Sequence, residues 1–169
     1  MQRWLFQREI EELAATPVFY LDKCGVDHRL YREYARALRG RRVYQEVSGS
    51  QRHRTSIISA SRSQKLVAPF VFDGHCDSDL VDLYFKTFLL PALPPGSVIV
   101  LDNARFYQSP TTLRLVQEAG CHLLFLPAYS PDINPIEHVR AAFKSRLRKD
   151  LPNADDPFLF VSDMCQCYC

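Results

Sequence analysis

Asp102 closes the apolar run V-I-V-L-D, and Glu137 follows 35 positions later inside S-P-D-I-N-P-I-E. Asp22 closes an earlier apolar run, P-V-F-Y-L-D. A carboxylate at the end of a buried strand is costly unless it is paired, hydrated or bound to a cation. Two such acids on neighbouring strands, with a third at the start of a helix, could hold a pair of divalent ions. Ions about 3.5–4 Å apart stabilise both the attacking and the leaving oxygen of a phosphodiester displacement. Hard oxygen donors suit Mg2+ or Mn2+. Asp22, on the strand expected at the centre, would bridge them. Each acid also has an ordinary use. Asp22 and Asp102 could form turns at strand ends, and Glu137, three residues after Asn134, could close a capping box.

The elements that must position these acids follow from apolar spacing and turn residues. Residues 3 to 15 read as a helix with Leu5, Ile10 and Leu13 on one side. Val18 to Asp22 is apolar throughout, as in a strand buried on both faces. Val43 to Val47, Thr55 to Ala60 and Val67 to Phe72 read as further strands, the last ending at the turn signal Asp73-Gly74. Ser78 is expected to cap a helix whose apolar face carries Leu80, Leu83, Phe88 and Leu89 and which stops at Pro91. A strand from Ser97 to Asp102 follows, then a helix from Ser109-Pro110 to Gly120, and a strand from Cys121 to Leu126. After a proline-punctuated loop, Asn134-Pro135 opens a long helix with Ile136, Val139, Phe143 and Leu147 at helical spacing. Beyond Pro152 one short helix is expected. Strands joined by turns should be antiparallel, and strands separated by helices parallel with right-handed crossovers. The fold class is α/β, a mixed sheet with helices on both faces. Ligand sites in such sheets gather at the carboxyl ends of parallel strands.

With 169 residues, 47% of them hydrophobic, the chain can bury the core of one ordinary domain. No run of about 18 apolar residues is present to cross a membrane, and the N-terminus turns acidic at Glu9, Glu11 and Glu12, unlike a signal peptide. A net charge of +2 identifies no partner, but the bases are clustered. Arg29, Arg32, Arg36, Arg39, Arg41 and Arg42 form one group; Arg140, Lys144, Arg146, Arg148 and Lys149 form another. Such clusters suit a phosphate backbone, or are simply solvated faces. The six cysteines fit a reducing cytosol. The one-residue spacing of C-Q-C-Y-C departs from that of a zinc knuckle. Trp4 and the other aromatics read as core.

The segments Y-L-D-K-C-G, R-A-L-R-G-R-R-V, L-V-A-P-F-V-F-D-G, V-I-V-L-D-N-A-R-F-Y and L-P-A-Y-S-P-D-I-N-P-I-E-H-V resemble the catalytic domain of a bacterial insertion-sequence transposase of the branch related to the mariner superfamily, with its D…D-x34-E triad. The resemblance runs from about Phe6 to the tail and is most specific from Leu126 to Glu137. It implies an RNase H-like mixed five-stranded sheet with helices on both faces. Asp22, Asp102 and Glu137 would be the catalytic, metal-binding acids, holding two Mg2+ (or Mn2+). Asn103 and Asn134 would support the site, and Ser130, Pro131 and Pro135 belong to the loop that delivers the glutamate. The implied activity is metal-dependent cleavage of transposon ends and strand transfer into target DNA by the freed 3′-hydroxyls. Arg36, Arg39, Arg41, Arg42, Lys144 and Arg148 are the candidate DNA contacts. A homodimer in the active complex and a cytoplasmic, nucleoid-associated bacterial location are also implied.

Three positions depart from the family pattern. Lys23 stands where an acid often follows the first aspartate, Tyr107 where a histidine is usual, and Arg140 where a tryptophan usually lies three residues beyond the glutamate. Lys23 would add positive charge beside the site. The expected organisation is a linker helix over 1–16, a catalytic domain over 17–151 and a tail over 152–169, with no helix-turn-helix domain. A separate helix-turn-helix polypeptide would then supply sequence-specific DNA binding, or the chain is a fragment. Competing readings are another RNase H-like nuclease, and a weakened or dead remnant retained for DNA binding or assembly.

Overall fold

The longest strand sits at the centre of the sheet and carries one of the three acids. In the computed structural model, which describes residues 2–13, 16–27, 36–44, 54–127, 133–151 and 154–169, helix α1 (Gln2–Glu12) precedes β1 (Val18–Asp27), and β2 (Arg54–Arg62) and β3 (Lys65–Asp73) form a hairpin. Next come α2 (Ser78–Tyr84), a π-helical segment (Phe85–Leu89), the short turn α3 (Leu90–Ala92), and β4 (Val98–Leu101). A 3-10 turn (Arg105–Tyr107), α4 (Pro110–Glu118), β5 (His122–Phe125), α5 (Ile136–Asp150) and α6 (Pro157–Gln166) complete the chain. The five strands lie in the order β3-β2-β1-β4-β5. β1, β2 and β3 pair antiparallel, and β1, β4 and β5 parallel. This is the mixed RNase H-like sheet.

Alternation along the strands divides the core between two faces. Phe19 and Leu21 of β1, Ile58 of β2, and Ile99 and Leu101 of β4 pack against Val81, Tyr84, Phe85, Leu89 and Val116 from α2, the π segment and α4. On the other face, Cys24, Val26 and Ile57 pack against Phe143, Leu147, Val161, Met164 and Cys165 of α5 and α6. Val98 and Val100 meet Phe6 of α1 there. The expected apolar stripe of α5 is buried as read, at Ile136, Val139, Phe143 and Leu147.

Several expectations are corrected. Val43 and Tyr44 are exposed and in no strand, and positions 45–47 lie outside the described residues. A stretch rich in arginine on one side has no apolar face to offer a sheet. The cap of α2 is Asp77, whose carboxylate accepts from the Leu80 backbone N–H, rather than Ser78. Leu83 and Phe88 are exposed while Tyr84 and Phe85 are buried. Within the π segment, i→i+5 bonding moves the apolar stripe one position on, so Leu89 rather than Phe88 is buried. Pro91 lies inside the terminal turn rather than ending the helix before it. The N-terminal helix stops at Glu12 and turns Phe6, not Leu5, inward; Trp4 is exposed with Arg8 stacked over its ring at 5.0 Å.

The hairpin β2–β3 turns on Ser63 and Gln64, both at positive φ. Its register slips between Ile58 and Ala60, so β3 carries one extra residue, with Ala68 at φ 49°. The Tyr84 hydroxyl donates to the Ala68 carbonyl at 3.0 Å and pins this bulge. Along the outer edge of β3, the Leu66 N–H donates to the Tyr168 carbonyl at 2.7 Å and the Lys65 Nζ to that of Cys169 at 3.3 Å.

Burial pushes the Cys165 thiol from 9.0 up to about 12, helped by neighbouring Cys24 and Cys169. A thiol whose pKa is raised on folding stabilises the fold fully below its unfolded value, and the contribution is lost as pH climbs. Stability is therefore expected to fall between about pH 9 and pH 12. At pH 8, iodoacetamide should modify exposed Cys167 while Cys165 stays unmodified until denaturant is added, as read by peptide mass spectrometry. Equal labelling of both under native conditions would contradict the buried placement of α6.

Candidate active site

The parallel register of β1 and β4 runs from Val18–Val98 to Tyr20–Val100. Carried two residues further, it sets Asp22 level with Asp102. The two acids are nevertheless held differently. Asp22 does not end its strand: β1 continues to Asp27 because β2 keeps pairing with it as far as Arg54. Asp102 does leave the sheet where β4 stops; it is exposed, and its Oδ1 accepts from the Ala104 N–H at 3.2 Å. Asp22 lies between Tyr20 and Cys24, both turned to the face that α1 and α5 cover, so its carboxylate points toward α5.

Glu137 lies in the first turn of α5, its side chain 47% exposed. It closes no capping box: the N-cap position is Pro135, with no side-chain cap bond, and the Glu137 N–H donates to the Asn134 carbonyl at 3.2 Å. One turn later on the same helix, Arg140 reaches back over the sheet. Its Nη1 pairs with Asp22 Oδ2 and lies 3.4 Å from Glu137 Oε1. Its Nη2 donates to the Lys23 carbonyl at 2.9 Å. The side chains of Arg140 and Asp22 are 16% and 14% exposed. Burial lowers the Arg140 pKa, yet a guanidinium that starts at 12.5 keeps its charge. The Lys23 N–H donates to Asp22 Oδ1 at 2.6 Å, so both oxygens of Asp22 are engaged.

Arg140 is the site residue that sequence reasoning misplaced, by grouping it with bases that face solvent. The signal was its spacing: three residues after Glu137 on a helix means the same face. Lys23 is corrected in the opposite sense. Strand alternation sends its amine to the other face, 6.0 Å from the Phe106 ring, and it lines a pocket with Arg54, Asp73, His75 and Cys76.

Asn103 is exposed, and its Oδ1 accepts from Gln108 Nε2. Asn134 is buried, with no hydrogen-bond partner for its Oδ1 among the described residues. Tyr107 is buried beneath Asp102; burial first and the Asp102 charge second raise its pKa well above 10.0, so the phenol stays neutral. Arg36, Arg39, Arg41 and Arg42 are exposed in an irregular stretch. Arg148 is exposed, whereas Lys144 is half-buried and near enough to lower the Cys24 pKa against the dominant effect of burial. Ser130 and Pro131 lie outside the described residues.

The donor set suits a hard divalent ion in type, with Asp22 on β1, Asp102 just past the end of the neighbouring β4 and Glu137 in the first turn of α5. Their present arrangement differs from a loaded site. Among the described residues, no three His, Cys, Asp or Glu side chains converge closely enough to hold an ion; two of the three acids share Arg140 instead.

The family model described as "DDE superfamily endonuclease" matches residues 17–156. No curated protein matches the chain. Among solved structures, the chain is similar in fold to the mariner Mos1 paired end complex with Mg, at 12% identity and a TM-score of 0.68, covering 99% of this chain and 59% of that one. The Mos1 paired-end complex with left transposon end matches at 13% identity and a TM-score of 0.64, covering 98% and 57%. The catalytic core domain of BIV integrase matches at 11% identity and a TM-score of 0.58, covering 89% and 81%. The chain thus spans less than two thirds of the Mos1 chains it matches. Among the described residues, no helix is long and apolar enough to cross a membrane.

Proposed function

Because the chain belongs to the DDE superfamily endonucleases, we propose that it is the catalytic domain of a DNA transposase, which cleaves transposon ends and joins them to target DNA. The observation that carries this reading is the set of Asp22, Asp102 and Glu137, contributed by the adjacent interior strands β1 and β4 and by the first turn of α5. These acids would hold two Mg2+ or Mn2+ ions. Bound ions would neutralise the phosphate and activate the attacking oxygen.

The chain's own residues fix the setting. Asp22 lies within β1, paired to Ser59 of β2, so its position does not depend on a loop. Asp102 stands past the end of β4, close enough to the buried Tyr107 for its charge to help hold that phenol neutral. Asn103, tied to Gln108, and Asn134, preceding Glu137, support the two outer acids. Arg36, Arg39, Arg41 and Arg42, with Lys144 and Arg148, would bind phosphates, giving salt-sensitive contacts with little sequence preference. A helix-turn-helix polypeptide would add sequence recognition, a second copy would bring the two ends together, and the nucleoid of a bacterial cytoplasm is where such a complex would act.

The reading is tested by incubating the chain with supercoiled plasmid and, separately, with an RNA–DNA hybrid, each with Mn2+ and with EDTA. Mn2+-dependent plasmid nicking that EDTA abolishes is expected. Cleavage confined to the RNA strand would favour a ribonuclease of the same fold. Plasmid binding without nicking in any ion would favour a remnant that only binds.

A further inference from the structure

The position of Arg140 carries a consequence for ion binding. Its guanidinium is held by three groups at once: Asp22 Oδ2, Glu137 Oε1 and the Lys23 carbonyl. Two of these are acids read above as ion ligands. A divalent ion on Asp22 and Glu137 would take up the oxygen lone pairs that the guanidinium now occupies. It would also set a second positive charge within a few ångströms of the first, beside an Asp22 side chain only 14% exposed, where screening by water is weaker than at the 47% exposed Glu137. The Arg140 Nε is buried with no hydrogen-bond partner among the described residues, so the side chain is not anchored at every donor and can withdraw without leaving a bond behind at that atom.

We infer that Arg140 is a built-in competitor of the metal: its guanidinium occupies the ion's place between Asp22 and Glu137, and an ion enters only when Arg140 withdraws. This rests on the reading of these acids as ion ligands, and it makes Arg140 the residue that sets how tightly the chain takes up divalent ions.

The test titrates Mn2+ alone into the full chain, followed by water-proton relaxation. Arg140→Gln should bind Mn2+ at least tenfold more tightly than wild type. Arg146→Gln, which removes the same charge from an exposed site on the same helix, should change affinity less than twofold. Adding Glu137→Gln to Arg140→Gln should erase the gain. A second measurement needs no variant: in the wild-type chain, the Arg140 Nε–Hε resonance should shift and exchange faster with water as Mg2+ is added. Normal Mn2+ binding by wild type with no gain in Arg140→Gln, or an Arg140 signal unmoved at saturating Mg2+, would overturn this inference alone. No Mn2+ binding by any of these chains would overturn the reading of the acids as ligands along with it.

Discussion

Asp102→Asn is expected to lower ion-dependent DNA cleavage by at least about 10³-fold while leaving thermal stability nearly unchanged. The stability half follows from where the side chain sits. Asp102 is exposed past the end of β4, and its one described bond, from the Ala104 N–H to Oδ1, can be kept by an asparagine oxygen. Exposed substitutions of this kind usually move stability by no more than about 0.5 kcal/mol. The activity half follows from charge. An amide oxygen is a poorer ligand for a hard cation, and the transition-state stabilisation an ion provides is worth several kcal/mol, each 1.36 kcal/mol being tenfold in rate. Single-turnover cleavage beside a melting curve measures both. Cleavage within tenfold of wild type would remove Asp102 from the site.

Asp22→Asn should behave differently, losing cleavage to a similar extent and destabilising the fold as well. Asp22 and Arg140 form a pair with little solvent around it, and removing one partner of a buried pair costs about 3–5 kcal/mol because the other charge is left behind. Here the pair keeps some exposure and Glu137 remains 3.4 Å from Nη1, so a loss of about 1–3 kcal/mol is the fitting magnitude. For a chain of this size, that lowers the melting temperature by roughly 3–10 °C. The loss should be smaller when Arg140→Gln is present in both chains compared, since no unpaired cation then remains. A double-mutant cycle isolates that coupling. An unchanged melting temperature in Asp22→Asn would mean that the ion pair contributes nothing to stability.

The three acids could be singled out as candidates because the reasoning rests on local chemistry: apolar runs that end in acids, and a proline-rich loop leading into a helix. The α5 stripe was legible for the same reason, being one period on one helix. What escaped was tertiary. Whether Asp22 ends its strand depends on how far β2 continues to pair with β1, and that register lies across a gap of some thirty residues. The phase of Phe88 depends on a π segment whose sequence, F-K-T-F-L, carries no helix-breaking residue. Arg140 looked like one base among five because charge clustering ignores direction; only the packing of α5 across β1 turns this one inward while Arg148 stays in solvent.

The bulge at Ala68 bears on self-association. A sheet recruits another sheet through a straight outer strand with a free row of N–H and C=O groups. β3 is interrupted by the bulge and by Pro69, which has no N–H, and part of its margin is already occupied by the backbone of Tyr168. At the opposite margin, β5 is only four residues long. Neither side offers a template on which a further strand could grow. Copies of this chain brought together would therefore meet through helices and loops, and crowding many of them need not seed a cross-β aggregate.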